Sequence, residues 1–130
     1  MPWKIEPSVS KTHFIATFWG NCTAKDLYDS GVEFSRLSDE NGILNALIDA
    51  TTMIPVGPTS LEHYQLVEYV FGTNPNRPKW KIAILRSSDK EVQKINHFFE
   101  TLCINRGIRT KVFNTREAAL EWFYASKRQN

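Results

Sequence analysis

The sequence lacks several features that would assign a function class directly. No stretch approaches the roughly 18 consecutive apolar residues that a membrane-spanning helix requires. The opening MPWKIEPSV lacks the basic flank and apolar run of a signal peptide. The two cysteines, Cys22 and Cys103, stand outside any CxxC spacing, so neither a zinc site nor a disulfide framework is indicated. Together these absences predict a cytoplasmic protein.

Motifs that position catalytic groups are also missing. The chain has no GxSxG nucleophile elbow, no GxxxxGK[ST] phosphate loop and no GxGxxG dinucleotide turn. Its three histidines, His13, His63 and His97, show no metal-ligand spacing, and we expect surface histidines or hydrogen-bonded core histidines. The sequence therefore predicts no enzyme, no metal site and no cofactor.

The composition that remains is that of an ordinary globular protein. Of the 130 residues, 42% are hydrophobic and 23% are charged, which predicts one domain over residues 1–130. The net charge of +2 is unevenly divided, because residues 1–65 carry −4 and residues 66–130 carry +6. The basic half includes RPKWK at 77–81, but its charges are scattered, so nucleic-acid binding is not favoured.

Two segments predict the centre of a β-sheet. ILNALID (43–49) and WKIAIL (80–85) are apolar on both faces, as strands covered on two sides must be. A starting hairpin, whose second strand covers residues 13–19, and the alternating IRTKVF (108–113) predict the outer strands.

Helix-start signals separate these strands. The segments TAKD from Thr23, TSLE from Thr59 and SDKE from Ser88 each place an acid three residues after a hydroxyl, as in a capping box. Asn114 is the predicted cap of a last helix. The resulting order is ββαβαβαβα, which predicts an α/β fold with a mixed, mostly parallel sheet and helices packed on it.

The helix after Thr59 has apolar residues on two sides. The stripe predicted to face the core consists of Leu61, Tyr64, Val67 and Phe71. Leu66 and Tyr69 then project to the opposite side, where they are either scattered exposed apolar residues or part of a contact surface for a protein or an apolar ligand beside the hydroxyl-rich loop.

Three side chains are candidate reactive groups. Asp49 ends a predicted buried strand at the carboxyl edge, where open α/β sheets hold ligands, but no second carboxylate, Cys–His pair or basic group accompanies it. We expect it to accept backbone N–H bonds in the following turn. Cys22, beside a helix start that would favour a thiolate, and Cys103 lack a nearby base or resolving cysteine, so neither is predicted to react.

The strand and helix order resembles that of the STAS-domain family, in particular the SpoIIAA-like (anti-sigma-factor antagonist-like) proteins. The resemblance covers nearly the whole chain and rests on LID (47–49), KIAIL (81–85) and the closing VFNTREAALEWF (112–123). It implies a small non-enzymatic regulatory module that binds a protein partner, such as an anti-sigma-factor-like kinase or another regulator. A binder of an apolar ligand or of a membrane surface is the alternative that it implies.

The same resemblance draws attention to the loop and second helix over residues 56–70. In the anti-sigma antagonists, a serine within Asp-Ser-x-Gly at the start of this helix is phosphorylated by the partner kinase. The equivalent region here reads VGPTS (56–60), without that Asp and the following Gly. Thr59 and Ser60 are the candidate phosphorylation sites, although we expect the Thr59 hydroxyl mainly to cap the helix, with Glu62 reaching back. The residues predicted to bind a partner are Thr59, Ser60, Leu66 and Tyr69.

Overall fold

A five-stranded sheet organises the chain, and the computed structural model describes residues 1–128, with the side chains of residues 1–125. The strands are β1 Trp3–Pro7, β2 Phe14–Thr23, β3 Asn45–Val56, β4 Lys81–Leu85 and β5 Arg109–Phe113. The helices are α1 Ala24–Asn41, α2 Ser60–Gln65, α3 Lys90–Asn105 and α4 Arg116–Arg128. A π-helical segment, Leu66–Phe71, continues α2, and a 3-10 turn covers Arg77–Lys79. The predicted α/β class and the order ββαβαβαβα are confirmed.

The strands lie in the sheet in the same order as in the chain. β1 is antiparallel to β2, and all other neighbouring pairs are parallel. When all crossover connections have the same handedness and each leads to the next strand in the same direction, their helices lie on one face of the sheet. α1, α2 and α3 accordingly pack against one face, and α4 covers the other face over β4 and β5.

The first helix begins where its sequence predicts. The Thr23 hydroxyl accepts the N–H of Asp26 at 3.2 Å, and the Asp26 carboxylate accepts the N–H of Thr23 at 2.8 Å, which completes a capping box. Gly42 ends α1 in the left-handed conformation, with φ of 68°, and its N–H donates to the carbonyl of Ser38. Glycine is favoured here because other residues rarely adopt this φ.

Two other helix starts lie one residue after the predicted cap. Asp89, rather than Ser88, caps α3, and its Oδ1 accepts two N–H groups of the first helical turn at 2.9 and 3.0 Å. At α4 the hydroxyl of Thr115, rather than the side chain of Asn114, accepts the N–H of Ala118 at 3.1 Å. In both cases adjacent residues can cap, so the pattern located the helix without fixing its first residue.

The predicted orientation of the helix after Thr59 was right at Val67 and Phe71, which are buried, and wrong closer to its start. Leu66, expected on the outside, is 2% exposed, whereas Leu61, expected in the core, is 61% exposed. The buried side of the helix begins at His63, which is polar and is therefore not part of an apolar stripe read from the sequence. The wider turns of the π-helical segment then keep Leu66 and Phe71 on that same side. The exposed position predicted for Tyr69 is correct, since 63% of it is accessible.

Edge-to-face aromatic contacts hold the π-helical segment against the core. The ring of Phe71 lies 5.3 Å from Trp80, 6.1 Å from Phe34 of α1 and 6.3 Å from Phe99 of α3, measured between centroids. Such pairs add to the free energy of area burial by about 0.5–1.5 kcal/mol each. The segment is therefore fixed on both sides by neighbouring helices.

The β2–β3 pair extends beyond the rest of the sheet. β4 pairs only with residues 45–48 of β3, whereas β2 follows β3 as far as Val56. The register shifts between Thr17 and Trp19 of β2, where β3 contains one more residue than its partner. This β-bulge explains why Ala50 and Met53, three residues apart, are both buried.

Candidate functional site

Asp49 stabilises the bulge of β3. The sequence predicted that Asp49 ends the strand, but β3 continues to Val56. Its Oδ1 accepts the N–H of Thr51 at 3.1 Å and the Thr51 hydroxyl at 2.6 Å, which is the expected acceptance of a nearby backbone N–H. Arg116 of α4 donates to its Oδ2 at 2.6 Å, a basic partner that lies 67 residues away in sequence. The aspartate is fully engaged in structural contacts.

The sheet topology also argues against a site at the strand ends. Open α/β sheets hold ligands in the crevice that forms where the strand order reverses. The order β1-β2-β3-β4-β5 never reverses, so no such crevice forms beside β3.

The loop at residues 57–59 does not form the predicted capping box. Thr59 occupies the N-cap position and is buried, but its hydroxyl makes no capping hydrogen bond, so that part of the prediction was wrong. Glu62 does not reach back, and its Oε2 is buried without a hydrogen-bond partner in the described part of the chain. Ser60 is exposed at the first position of α2. Thr59 and Ser60 remain predicted phosphorylation sites, and Ser60 is the accessible one.

An apolar cavity of about 70 Å³ lies between the sheet and the three helices of one face, and it opens to the surface. The sheet contributes small and branched side chains, among them Ala46, Ile48 and Ala50. Gly31 of α1 and Leu66 of the π-helical segment form part of the wall. Within the described residues this cavity combines enclosure, apolar lining and access.

Two polar side chains line this cavity without hydrogen-bond partners for their buried nitrogens. His63 of α2 is 6% exposed and Asn96 of α3 is 7% exposed. Neither His63 Nδ1 nor Asn96 Nδ2 has a partner among the residues that the structure describes. A third polar lining residue, Ser30, is already engaged, because its hydroxyl donates to the carbonyl of Leu27 at 2.8 Å. Two residues of this largely apolar lining thus each carry a buried nitrogen without a partner.

The histidine of this pair is uncharged at neutral pH. Burial lowers the pKa of His63 to about 4. Its ring packs against Phe99, with 5.3 Å between centroids, and Phe99 lies one helical turn after Asn96. The imidazole therefore lies against the part of α3 that carries Asn96, and both residues line the cavity.

Reactive thiols and metal sites find no support in the described residues. Burial and the nearby carboxylate of Asp26 raise the pKa of Cys22, which outweighs any effect of the helix start. Burial raises the pKa of Cys103 to about 12. No group of three or more His, Cys, Asp or Glu residues in this part of the chain is arranged to hold a metal ion.

The basic segment RPKWK is largely built into the fold. Trp80 is fully buried, so its ring cannot stack on a base. The ammonium group of Lys81 donates to the carbonyl of Trp122 at 2.7 Å, and Arg77 donates to the carbonyl of Arg106 at 3.1 Å.

Across the described residues no helix is both long and apolar enough to cross a bilayer.

The outward side of residues 56–70 carries exposed apolar side chains. We call Val56, Leu61, Tyr64 and Tyr69 the outer surface, because all four are exposed. The rings of Tyr64 and Tyr69 meet edge to face with 6.5 Å between centroids, so these two form one patch. Beside them, Glu68 pairs with Arg106, the residue that follows α3. Of the predicted partner-binding residues, Ser60 and Tyr69 are accessible, whereas Thr59 and Leu66 are buried.

Sequence reasoning missed both polar residues of the cavity. A signal was present for Asn96, which lies between Val92 and Phe99 on the apolar side of its helix. His63 lies four residues before Val67, which is also buried. A polar residue within the apolar stripe of a helix is a specific sign of a buried polar site. An apolar residue outside the stripe is a weaker sign of any site, because single exposed apolar residues are common.

Comparison with solved structures finds the same fold elsewhere. The chain is similar to the crystal structure of an uncharacterised protein from the DUF3478 family, with a SpoIIAA-like fold, from Shewanella loihica PV-4. The TM-score is 0.58 at 20% sequence identity, over 93% of this chain and 91% of that chain. No protein-family model and no curated protein matches the chain. The predicted SpoIIAA-like fold is thus confirmed, and at this identity the comparison concerns the fold alone.

Proposed function

We propose that this chain, which has a SpoIIAA-like fold, is a non-enzymatic module that binds an apolar small molecule in the cavity between α1, α2 and α3. The observation that carries the proposal is the apolar, open cavity in which two buried nitrogens, on His63 and Asn96, have no partner. Leaving a buried polar group unsatisfied costs about 1–3 kcal/mol, so sites of this kind need a reason in a folded protein.

The volume of the cavity limits what it holds. An engineered cavity of about 150 Å³ binds benzene, and the cavity here has about half that volume. It therefore accepts a small branched molecule or the end of a longer one. The opening to the surface allows the rest of a longer ligand to lie outside.

Apolar gases and small hydrocarbons test this proposal directly. Methyl-labelled protein is titrated with xenon, isobutane and benzene while the methyl resonances of Ala46 and Ala50 are followed by NMR. We expect xenon and isobutane to shift these resonances and benzene to leave them unchanged. In Leu66→Ala, which enlarges the cavity, benzene is expected to bind as well.

Matched controls decide the outcome. Leu47 and Ala83 lie in the core on the opposite face of the sheet, so their methyl resonances report binding elsewhere. If no probe shifts the cavity methyl groups in the wild-type protein or in Leu66→Ala, the cavity is not a binding site and the proposal is wrong.

Binding of a protein partner is the second candidate function, and the observation that favours it is the outer surface. Leu61 and Tyr69 are more than half exposed, and Tyr69 is joined to Tyr64 by a ring contact. Exposed aromatic residues of this kind are frequent anchors of protein interfaces. The segment 56–70 thereby remains the proposed partner site, with its apolar contacts made by Leu61, Tyr64 and Tyr69.

A pull-down with variants tests the second candidate. Tyr69→Ser and Leu61→Ser should release a captured partner, whereas Ile104→Ser, an equally exposed apolar position near the end of α3, should retain it. A partner released by all three variants, or by none, would contradict an interface at the outer surface.

A further inference from the structure

The chemistry of the two unpartnered nitrogens restricts the ligand. Asn96 Nδ2 is an amide nitrogen with hydrogens to donate, so it requires an acceptor. His63 Nδ1 belongs to a neutral imidazole, which donates or accepts at this atom according to its tautomer. The ligand group must therefore accept one hydrogen bond and either donate or accept a second.

Charged groups fit this arrangement poorly. A carboxylate would be taken out of water into an apolar cavity, and no Lys or Arg lines that cavity to compensate it among the described residues. An ammonium group has no lone pair to accept from Asn96. A hydroxyl oxygen accepts and donates, and a carbonyl oxygen accepts twice, so both satisfy the two nitrogens without a net charge.

Resting on the function proposed above, we propose that the ligand carries an uncharged hydroxyl or carbonyl oxygen that hydrogen-bonds both Asn96 Nδ2 and His63 Nδ1. The apolar part of the ligand lies against Ala46, Ile48 and Ala50 of the sheet. His63 and Asn96 are positioned for this role by the α2–α3 contact, where the imidazole packs on Phe99. The site thus selects small alcohols or ketones, or the oxygenated end of a longer apolar molecule.

A series of molecules with one branched shape separates these contributions. Isobutane, 2-propanol, acetone, acetate and isopropylammonium are titrated into the wild-type protein, with methyl shifts for affinity and ¹⁵N shifts of His63 Nδ1 and Asn96 Nδ2 for contact. We expect 2-propanol and acetone to move both nitrogen resonances. Isobutane should bind without moving them, and acetate and isopropylammonium should not bind.

Substitutions identify which contacts make the difference. Asn96→Leu keeps the size of the side chain and removes its polar atoms, so the affinity for acetone relative to isobutane should fall about tenfold. His63→Leu should reduce the same ratio. Ser30→Ala is the matched control, because its hydroxyl lines the cavity but already donates to Leu27, and the ratio should be unchanged.

The outcomes distinguish this inference from the function on which it rests. If isobutane, acetone and 2-propanol bind but the nitrogen resonances stay fixed, or if Asn96→Leu leaves the ratio unchanged, the cavity binds ligands without this recognition and the inference is overturned. An ordered water alone at the two nitrogens in the presence of acetone overturns it as well. If isobutane also fails to bind, both proposals are wrong. The wild-type series decides the matter even if a variant fails to fold.

Discussion

The side chain of Leu66 occupies the space that a side chain at Gly31 would need. A Cβ atom at Gly31 would overlap Leu66 Cδ2 and would lie 2.7 Å from Leu66 Cδ1, closer than real Cβ contacts. The glycine therefore allows the π-helical segment to approach α1 at the wall of the cavity.

This contact predicts a change of sign in a double-mutant cycle. Gly31→Ala in the wild-type protein should lower the free energy of unfolding by about 1 kcal/mol, because overpacking costs more than the helix propensity of alanine returns. In the Leu66→Ala background the same substitution should raise it by about 1 kcal/mol. Urea denaturation of the four proteins measures both values. Equal effects in the two backgrounds would show that Leu66 is not the obstacle.

The buried imidazole predicts a specific loss of stability in acid. Burial lowers the pKa of His63 from 6.5 to about 4, so the unfolded chain binds a proton that the folded chain does not bind between these pH values. The stability contribution is complete above pH 6.5 and falls by up to about 3 kcal/mol by pH 4.

Comparison with His63→Leu isolates this effect. The unfolding free energy of the wild-type protein minus that of His63→Leu, followed by urea denaturation from pH 7.5 to 4, should fall by up to about 3 kcal/mol as the wild-type protein loses stability. His13, whose pKa is also lowered by burial, is present in both proteins and cancels. A constant difference would mean that His63 titrates normally in the folded state.

The three N-cap residues Thr59, Thr23 and Asp89 are predicted to differ in how much their substitution lowers the free energy of unfolding. Thr59→Val keeps the volume of this buried side chain and should change the free energy of unfolding by less than about 0.5 kcal/mol, because the hydroxyl that it removes makes no capping hydrogen bond. Thr23→Ala and Asp89→Ala remove capping bonds and should each cost about 1 kcal/mol. A cost at Thr59 equal to that at Thr23 would indicate a cap in solution after all. Thermal and urea unfolding of the three variants provide the comparison.

Asp49, at the bulge, forms an ion pair with Arg116, and substitution of Asp49 is predicted to lower the free energy of unfolding more than substitution of Arg116. Asp49→Ala removes the acceptor for two donors of Thr51 and for Arg116, and should cost about 2 kcal/mol. Arg116→Ala removes only a half-exposed partner and should cost less than about 1 kcal/mol. Urea denaturation at low and high salt checks both. Equal costs that disappear in high salt would assign the effect to the ion pair instead.

The fold could be predicted because its signals are local. The capping box at Thr23, the glycine at position 42 and the apolar segment over residues 81–85 each specify an element without reference to the rest of the chain. The extent of β3 could not be predicted, because the bulge after Asp49 interrupts the alternation of buried and exposed residues.

The candidate site was less predictable because it depends on contacts between distant segments. His63 and Asn96 are polar residues whose burial follows from the packing of α2 on α3. The π-helical turns at Leu66–Phe71 also change the residue spacing on which a helical stripe is counted. Apolar periodicity therefore placed Leu66 on the wrong side and gave no indication of the histidine.

The extension of β3 beyond β4 divides one strand into parts with different hydrogen-exchange behaviour. Residues 45–48 lie between two paired strands, whereas residues 49–56 pair only with β2, and the N–H of Thr51 donates to Asp49 instead of a neighbouring strand. We expect amide protons in the outer part to exchange through local opening, and those in the inner part to exchange only when the sheet unfolds. The loop and α2 follow the outer part directly, so the helix that carries His63 is joined to the less protected end of β3.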